Sequence, residues 1–79
     1  MSLNRTSRRA EASTRLVDAV MDAYVTWREE SATVAATYQS WSSGTREGRA
    51  RAYEAYVSAV DREEHAAAAY QDLLEQAAA

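Results

Sequence analysis

The chain has 79 residues, enough for one small domain and too few for two. Its formal net charge of −3 argues against a general nucleic-acid-binding protein, since such proteins are usually basic. Without cysteine there is neither a disulfide framework nor a thiolate metal site, and no apolar run approaches the roughly 20 residues that span a bilayer.

The composition favours long helices. Eighteen residues are alanine, proline is absent, and glycine occurs only at positions 44 and 48. Alanine is the best helix former, and proline and glycine are the worst, so we expect an all-α protein. The start, MSLNRTSRR, lacks the apolar segment of a signal peptide, so we expect a cytoplasmic protein.

The first half of the chain has a helical period. Its inward positions alternate spacings of three and four, at Val17, Val20, Tyr24, Trp27, Ser31, Val34, Tyr38 and Trp41. This pattern predicts a helix over residues 8–41, preceded by a flexible segment 1–7. Thr6 or Ser7 is the predicted N-cap, because a hydroxyl there accepts a hydrogen bond from a free backbone N–H.

The segment SSGTREG, residues 42–48, is the only cluster of helix-breaking residues. We expect Gly44 to end the first helix in the left-handed conformation and Thr45 to cap the second helix. A turn over residues 42–45 is so short that it forces the two helices to be antiparallel.

The second half repeats the helical period. Its inward positions are Tyr53, Tyr56, Val60, Glu63, Ala67, Tyr70, Leu74 and Ala77. This pattern predicts a helix over residues 46–77. The two halves share the period but not a residue-level repeat, so we expect no internal duplication.

Both sets of positions form the a/d seam of helices that pack at a shallow angle. Two helices alone leave about half of each Tyr and Trp in water, and further apolar residues flank both seams. We therefore expect a hairpin that forms a four-helix bundle as a homodimer, or that binds a partner helix pair. The candidate core and interaction residues are Val20, Tyr24, Trp27, Val34, Tyr38, Trp41, Tyr53, Tyr56, Val60, Glu63, Tyr70 and Leu74.

The stretch DREEH, residues 61–65, is the one segment that suggests chemistry. A carboxylate-bridged di-iron site uses Glu-x-x-His, so that both ligands point into a bundle. Arg62 stands three residues before His65, where that Glu is required, and the chain has no second histidine for a zincin motif. We expect no metal, cofactor, small-molecule substrate or catalytic site, and interpret the segment as solvated surface with local pairs among Asp61, Arg62 and His65.

Glu63 differs from its neighbours because the heptad places it in the seam. A turn centred near Gly44 sets it level with Tyr24 and Trp27. A seam carboxylate needs a partner, and the candidates are the Tyr24 hydroxyl, Arg28 or a residue of a second hairpin. It either fixes the register or oligomeric state, or reaches outward into a wet layer; both interpretations stay open.

The arginines near the start of the first helix oppose the helix dipole. In an antiparallel hairpin, Arg8 and Arg9 are expected to approach Asp72 and Glu75 at the end of the second helix. The alternative is an arm that touches nucleic acid or an anionic surface.

TYQSWSSGTREGRARAYEAY brings a Trp to the turn, followed closely by Gly. The layout resembles the Trp-X-Gly family of early-secreted-antigen-type proteins, which are small helical hairpins that dimerise and leave through a dedicated secretion system. The motif departs from the family: Trp41-Ser42-Ser43-Gly44 has one residue too many, and no acid stands four residues after Tyr70. The resemblance implies export without a cleavable signal peptide.

The sequence thus predicts a non-enzymatic structural or protein-interaction module. The first alternative is an early-secreted-antigen-like export substrate. The second is a small DNA-associated protein that uses its Arg-rich start.

Overall fold

The computed structural model describes the backbone of residues 2–79 and the side chains of residues 7–79. Two helices form the chain, α1 (Ser2–Ser43) and α2 (Arg49–Ala78), and they pack against each other as an antiparallel hairpin. No strand occurs over residues 2–79. The all-α hairpin predicted from the period of the sequence is confirmed.

The hairpin is long and thin. It extends 68 × 15 × 14 Å, with a radius of gyration of 18.9 Å. A compact domain of this length has a radius of gyration of roughly 12 Å. Two helices lying side by side create one line of contact, and no third element covers that line.

The helix boundaries differ from the predicted ones. α1 begins at Ser2 rather than at position 8, so Thr6 and Ser7 lie inside it and neither is its N-cap. The side chain of Thr6 falls outside the described side chains. α2 begins at Arg49 rather than at position 46, and its N-cap is Gly48, which offers no side-chain cap; Thr45 does not cap this helix.

The turn spans residues 44–48, and its glycines are not left-handed. No described residue has a positive φ, so the predicted conformation of Gly44 is wrong. What requires glycine there is a close approach: a Cβ on Gly44 would lie 2.6 Å from the carbonyl oxygen of Ser40. The hydroxyls of Ser42 and Ser43 both donate to the carbonyl oxygen of Gln39 in the last turn of α1.

We predict that Gly44→Ala lowers the free energy of unfolding by at least about 1 kcal/mol, because the new Cβ collides with backbone rather than with a movable side chain. Gly48→Ala is the matched control. Its Cβ would lie 3.6 Å from the Thr45 hydroxyl oxygen, an ordinary contact. Its effect is expected within about 0.5 kcal/mol of zero, because lower unfolded-state entropy offsets a poorer N-cap. Urea unfolding followed by circular dichroism measures both, and equal stabilities would contradict the close approach at Gly44.

Candidate interaction surface

Aromatic side chains fill the seam in two clusters. The outer aromatic cluster consists of Tyr24, Trp27 and Tyr70. The turn aromatic cluster consists of Tyr38, Trp41 and Tyr56, and lies closer to the turn. In each cluster α1 contributes a Tyr and a Trp, and α2 contributes a Tyr that stacks on the Trp.

The two clusters have nearly the same geometry. The stacked Trp–Tyr rings are 5.6 Å apart at 14° in the outer cluster and 5.5 Å apart at 16° in the turn cluster. The tilted Tyr–Tyr pairs are 5.6 Å apart at 58° and 5.7 Å apart at 60°. The Tyr–Trp pairs within α1 are both 6.0 Å apart. The three ring pairs that the clusters share therefore have closely similar spacing, while the turn cluster has a further ring, Tyr53, 5.1 Å from Trp41.

A repeat of two heptads within each helix produces this match. Tyr-x-x-Trp occurs at residues 24–27 and again at 38–41, and Tyr56 and Tyr70 have the same separation on α2. Two heptads are about four helical turns, so both copies point in nearly the same direction. Comparing one helix with the other does not reveal this repeat, because it lies within each helix. Its sequence signal is the recurring Tyr-x-x-Trp.

Glu63 lies between the two clusters on α2 and pairs within the hairpin. The Trp27 indole Nε1–H donates to Glu63 Oε1 at 2.7 Å, in a half-buried setting. The predicted partners were the Tyr24 hydroxyl, Arg28 or a second chain. Trp27 was predicted to lie level with Glu63, but its indole was not considered as the donor. Arg28 instead lies 5.8 Å from the centre of the Trp27 ring, where a cation attracts the ring face.

An ion pair crosses the hairpin close to this bond. The Arg62 Nε lies 3.2 Å from Glu30 Oε2. The sequence interpretation paired Arg62 with Asp61 and His65 on its own helix; the structure pairs it with the opposite helix. The turn is longer and is centred further along the chain than predicted, so the register shifts and brings residue 62 to residue 30.

The predicted seam residues are covered only in part. Those that are half-buried are Val20, Trp27, Val34, Trp41, Tyr56, Val60, Glu63 and Tyr70. The other four predicted residues are 41–50% exposed, although the three tyrosines among them contact rings of the opposite helix: Tyr24, Tyr38, Tyr53 and Leu74. Among the described side chains only Ala59 is fully buried, because a small side chain alone fits directly between two closely packed helices.

Large apolar side chains also remain in water beside the seam. Met21 is 62% exposed and Val17 is 57% exposed. We call the following set the apolar face: Val17, Met21, Tyr24, Tyr38, Tyr53, Val57 and Leu74. Val25 is exposed at its rim.

Helical geometry puts most of these residues on one side of the hairpin, with Tyr38 and Leu74 closer to the seam. At about 100° per residue, Met21 is rotated roughly 120° from Trp27, and Val57 is rotated by the same amount and in the same sense from Glu63. In an antiparallel pair, positions rotated in the same sense from the seam lie on the same side. Glu30 and Arg62 are rotated in the opposite sense, and the contact between them marks the other side of the hairpin.

Two opposite charges interrupt the apolar face near its middle. Arg28 on α1 and Glu64 on α2 are each rotated about 100° from the seam toward the apolar face. The neighbouring Trp27–Glu63 and Glu30–Arg62 contacts set them at a similar height. Among the side chains of residues 7–79, neither takes part in an ion pair.

His65 lies on the outer surface. Its side chain is 80% exposed, and its Nδ1 lies 2.8 Å from the carbonyl oxygen of Asp61. That hydrogen bond first, and the Asp61 carboxylate second, raise the pKa of His65 above its ordinary value of 6.5. Over the described residues, no three His, Asp or Glu side chains are grouped closely enough to hold a metal ion.

Arg8 and Arg9 do not meet the end of α2. Within the described side chains, neither forms an ion pair with Asp72 or Glu75. The physical reason is length: α1 has 42 residues against 30 in α2, and the cross-helix contacts place the last turn of α2 near Leu16. The first turns of α1 extend beyond it, and both arginines lie there, exposed.

Comparisons with family models, with curated proteins and with solved structures found no match for this chain. Within the described part of the chain, neither helix has an apolar stretch of the length that crossing a membrane requires.

We predict that Trp27 and Glu63 are coupled by about 1 kcal/mol in a double-mutant cycle of Trp27→Phe and Glu63→Met, because the hydrogen bond to a charged acceptor is half-buried. Glu54→Met is the control, since Glu54 is exposed on α2 and does not contact the indole. Its coupling to Trp27→Phe is expected to stay below about 0.5 kcal/mol. Equal coupling energies for the two acids would contradict the hydrogen bond.

The pKa of His65, measured by NMR titration, is expected to lie above that of the same histidine in urea. The protonated ring then favours the folded state below the unfolded pKa, and this contribution is lost as the pH rises through the higher, folded pKa. Asp61→Asn removes the carboxylate charge but keeps the backbone carbonyl, so a smaller upward pKa shift persists. An unshifted pKa in the native chain would contradict this contact.

Proposed function

We propose that this protein is a non-enzymatic interaction module that acts as a homodimer, in which two hairpins bury their apolar faces against each other as a four-helix bundle. The observation that carries the proposal is the apolar face itself. Its seven large side chains come from both helices, and each is 41–62% exposed. Exposed apolar surface on this scale, interrupted only by Arg28 and Glu64, marks a protein–protein contact.

The surface area of the hairpin supports an interface of ordinary size. The chain exposes 6416 Å². A folded monomer of 8.7 kDa exposes roughly 4,700 Å² by the usual scaling of area with mass. The excess exceeds the roughly 800 Å² that each partner loses in a standard interface. A second copy therefore has enough surface to cover.

Charge complementarity favours a second copy in one orientation. A two-fold axis along the hairpin places α1 of one chain against α2 of the other, at the same height. Arg28 of each chain then faces Glu64 of its partner, and both charges are paired within the interface. A two-fold axis across the hairpin sets α1 on α1 and brings Arg28 toward its own copy, which is unfavourable. We therefore propose that the two turns lie at the same end of the bundle.

A non-enzymatic role fits the surroundings of the titratable groups. His65, whose pKa is raised, stands in open solvent rather than in a pocket that shields a reaction. A partner protein with a helix pair of matching apolar and charged pattern is the alternative occupant of the apolar face. Action in the cytoplasm remains part of this proposal.

Two other functions remain proposals with support of their own. The hairpin shape and the position of Trp41 next to the turn favour an export substrate similar to the early-secreted antigens; recovery of a tagged copy from culture medium tests it. The exposed Arg8 and Arg9, beyond the end of α2, favour contact with nucleic acid. Steeply salt-dependent retention on immobilised DNA tests that function.

Light scattering is expected to give the native chain twice its 8.7 kDa mass. Met21→Glu and Val57→Glu place a charge within the apolar face and are expected to weaken association by at least about tenfold each. Thr26→Glu is the matched control, because Thr26 is exposed on the opposite side of α1. A folded native monomer, or equal weakening by all three substitutions, would contradict the proposal.

Mixing two charge variants isolates the contact between chains. Arg28→Glu alone sets acid against acid across the interface, and Glu64→Arg alone sets base against base, so each variant is expected to associate weakly. A mixture of the two restores both pairs and is expected to form heterodimers at close to native affinity. Failure of the mixture to associate would overturn the proposed orientation, while native dimers would still support the apolar face.

A further inference from the structure

The two aromatic clusters differ in two ways: Tyr53 packs 5.1 Å from Trp41 where the outer cluster has Ala67, and one polar position is different. In the outer aromatic cluster the Trp27 Nε1–H donates to Glu63. Arg49 stands two heptads before Glu63 and has the same relation to the turn aromatic cluster. The repeat therefore replaces an acceptor by a cation beside the Tyr–Trp–Tyr rings that the two clusters share.

Trp41 and Arg49 stand at the positions that Trp27 and Glu63 occupy in the outer aromatic cluster. Trp41 stacks on Tyr56 as Trp27 stacks on Tyr70, and Trp41 and Arg49 line the same cleft. Within the described side chains, the Trp41 Nε1–H is not a donor in any hydrogen bond and Arg49 is in no ion pair. Two donor side chains thus line one cleft, and neither has an acceptor among the described side chains.

The space between them is an open cleft. It has a volume of about 210 Å³ and is lined by Tyr38, Trp41, Ser42 and Arg49. No acid is part of this lining. Glu47, a nearby carboxylate in the turn, lines a separate cleft together with Arg51. The cleft beside Trp41 therefore offers an indole N–H, a guanidinium group, a hydroxyl and aromatic walls.

We propose that this cleft binds a carboxylate group supplied from outside the chain, held between the Trp41 Nε1–H and the Arg49 guanidinium. Glu63 is the precedent, because in the outer cluster the equivalent tryptophan donates its indole N–H to a carboxylate from within the chain. Arginine binds a carboxylate through parallel N–H donors, and the indole adds a third donor. The aromatic walls favour an acid with an apolar body.

The carboxylate has two possible sources, a free organic acid or an acidic side chain of another protein. The site lies at the turn end of the hairpin. Its two binding side chains, Trp41 and Arg49, are outside the apolar face, while Tyr38 in the wall of the cleft belongs to both. A carboxylate is the chemistry common to both sources. The experiment below separates them.

The chain has only two tryptophans, so a ¹⁵N-labelled sample gives two indole N–H signals in an NMR spectrum. Sodium acetate and sodium benzoate are titrated against sodium chloride of equal ionic strength. A short capped peptide containing glutamate is then titrated against its glutamine counterpart. The Trp41 signal is expected to move with carboxylate and to saturate, while the Trp27 signal, already bonded to Glu63, stays in place.

Two substitutions test the role of Arg49. Arg49→Gln is expected to weaken carboxylate binding by about tenfold, because it removes the charged donor. Arg49→Glu copies the outer cluster, so the Trp41 signal is expected to move toward that of Trp27 without ligand and to stop responding to carboxylate. An unchanged helical circular dichroism spectrum and an unmoved Trp27 signal show that each variant is folded.

Saturation by acetate or benzoate supports the site with a free acid as ligand, and saturation by the glutamate peptide alone supports a protein side chain. The proposal is overturned if both indole signals move equally, if sodium chloride produces the same shift, or if the Trp41 signal responds to no carboxylate. Undiminished binding by Arg49→Gln would also overturn it.

Discussion

Two antiparallel helices share a single line of contact, and this constraint governs the whole molecule. A side chain on that line is covered by one neighbouring helix and remains open on its flanks, so only a residue as small as Ala59 becomes fully buried. Large rings recover part of the missing area, because a Tyr or Trp covers more surface than an aliphatic residue. The seam is therefore aromatic, and the same geometry leaves Met21 and Val57 in water.

The aromatic seam also sets the register. Each Trp stacks on a Tyr of the opposite helix. The hydrogen bond from Trp27 to Glu63 is directional, whereas ring stacking is not. A half-buried carboxylate accepts only where a donor is in reach, so sliding one helix along the other leaves Glu63 unpaired. The second copy of this arrangement has Arg49 in the place of the acid. The hydrogen bond of the outer cluster thus fixes the register of the hairpin. At the turn cluster, the donors Trp41 and Arg49 have no acceptor among the described side chains.

The period of the sequence predicted the helices, their antiparallel packing, and Glu63 as the polar residue of the seam. The same pattern did not predict where the helices begin. Helix starts depend on single capping residues, and α1 continues through the predicted caps Thr6 and Ser7. A left-handed Gly44 follows from the usual role of glycine at helix ends. Glycine is required at this position for another reason, the nearby Ser40 carbonyl, and only the structure shows that contact. The Glu30–Arg62 pair depends on register, which a shift of the turn changes along the whole hairpin.

If the apolar face is completed by a second copy, folding and association are linked, and stability depends on concentration. The direct test is the thermal unfolding midpoint over a hundredfold range of protein concentration. The account predicts that the midpoint rises by roughly 5–10 °C across that range. A midpoint that does not change with concentration, in a folded chain of 8.7 kDa, would contradict it.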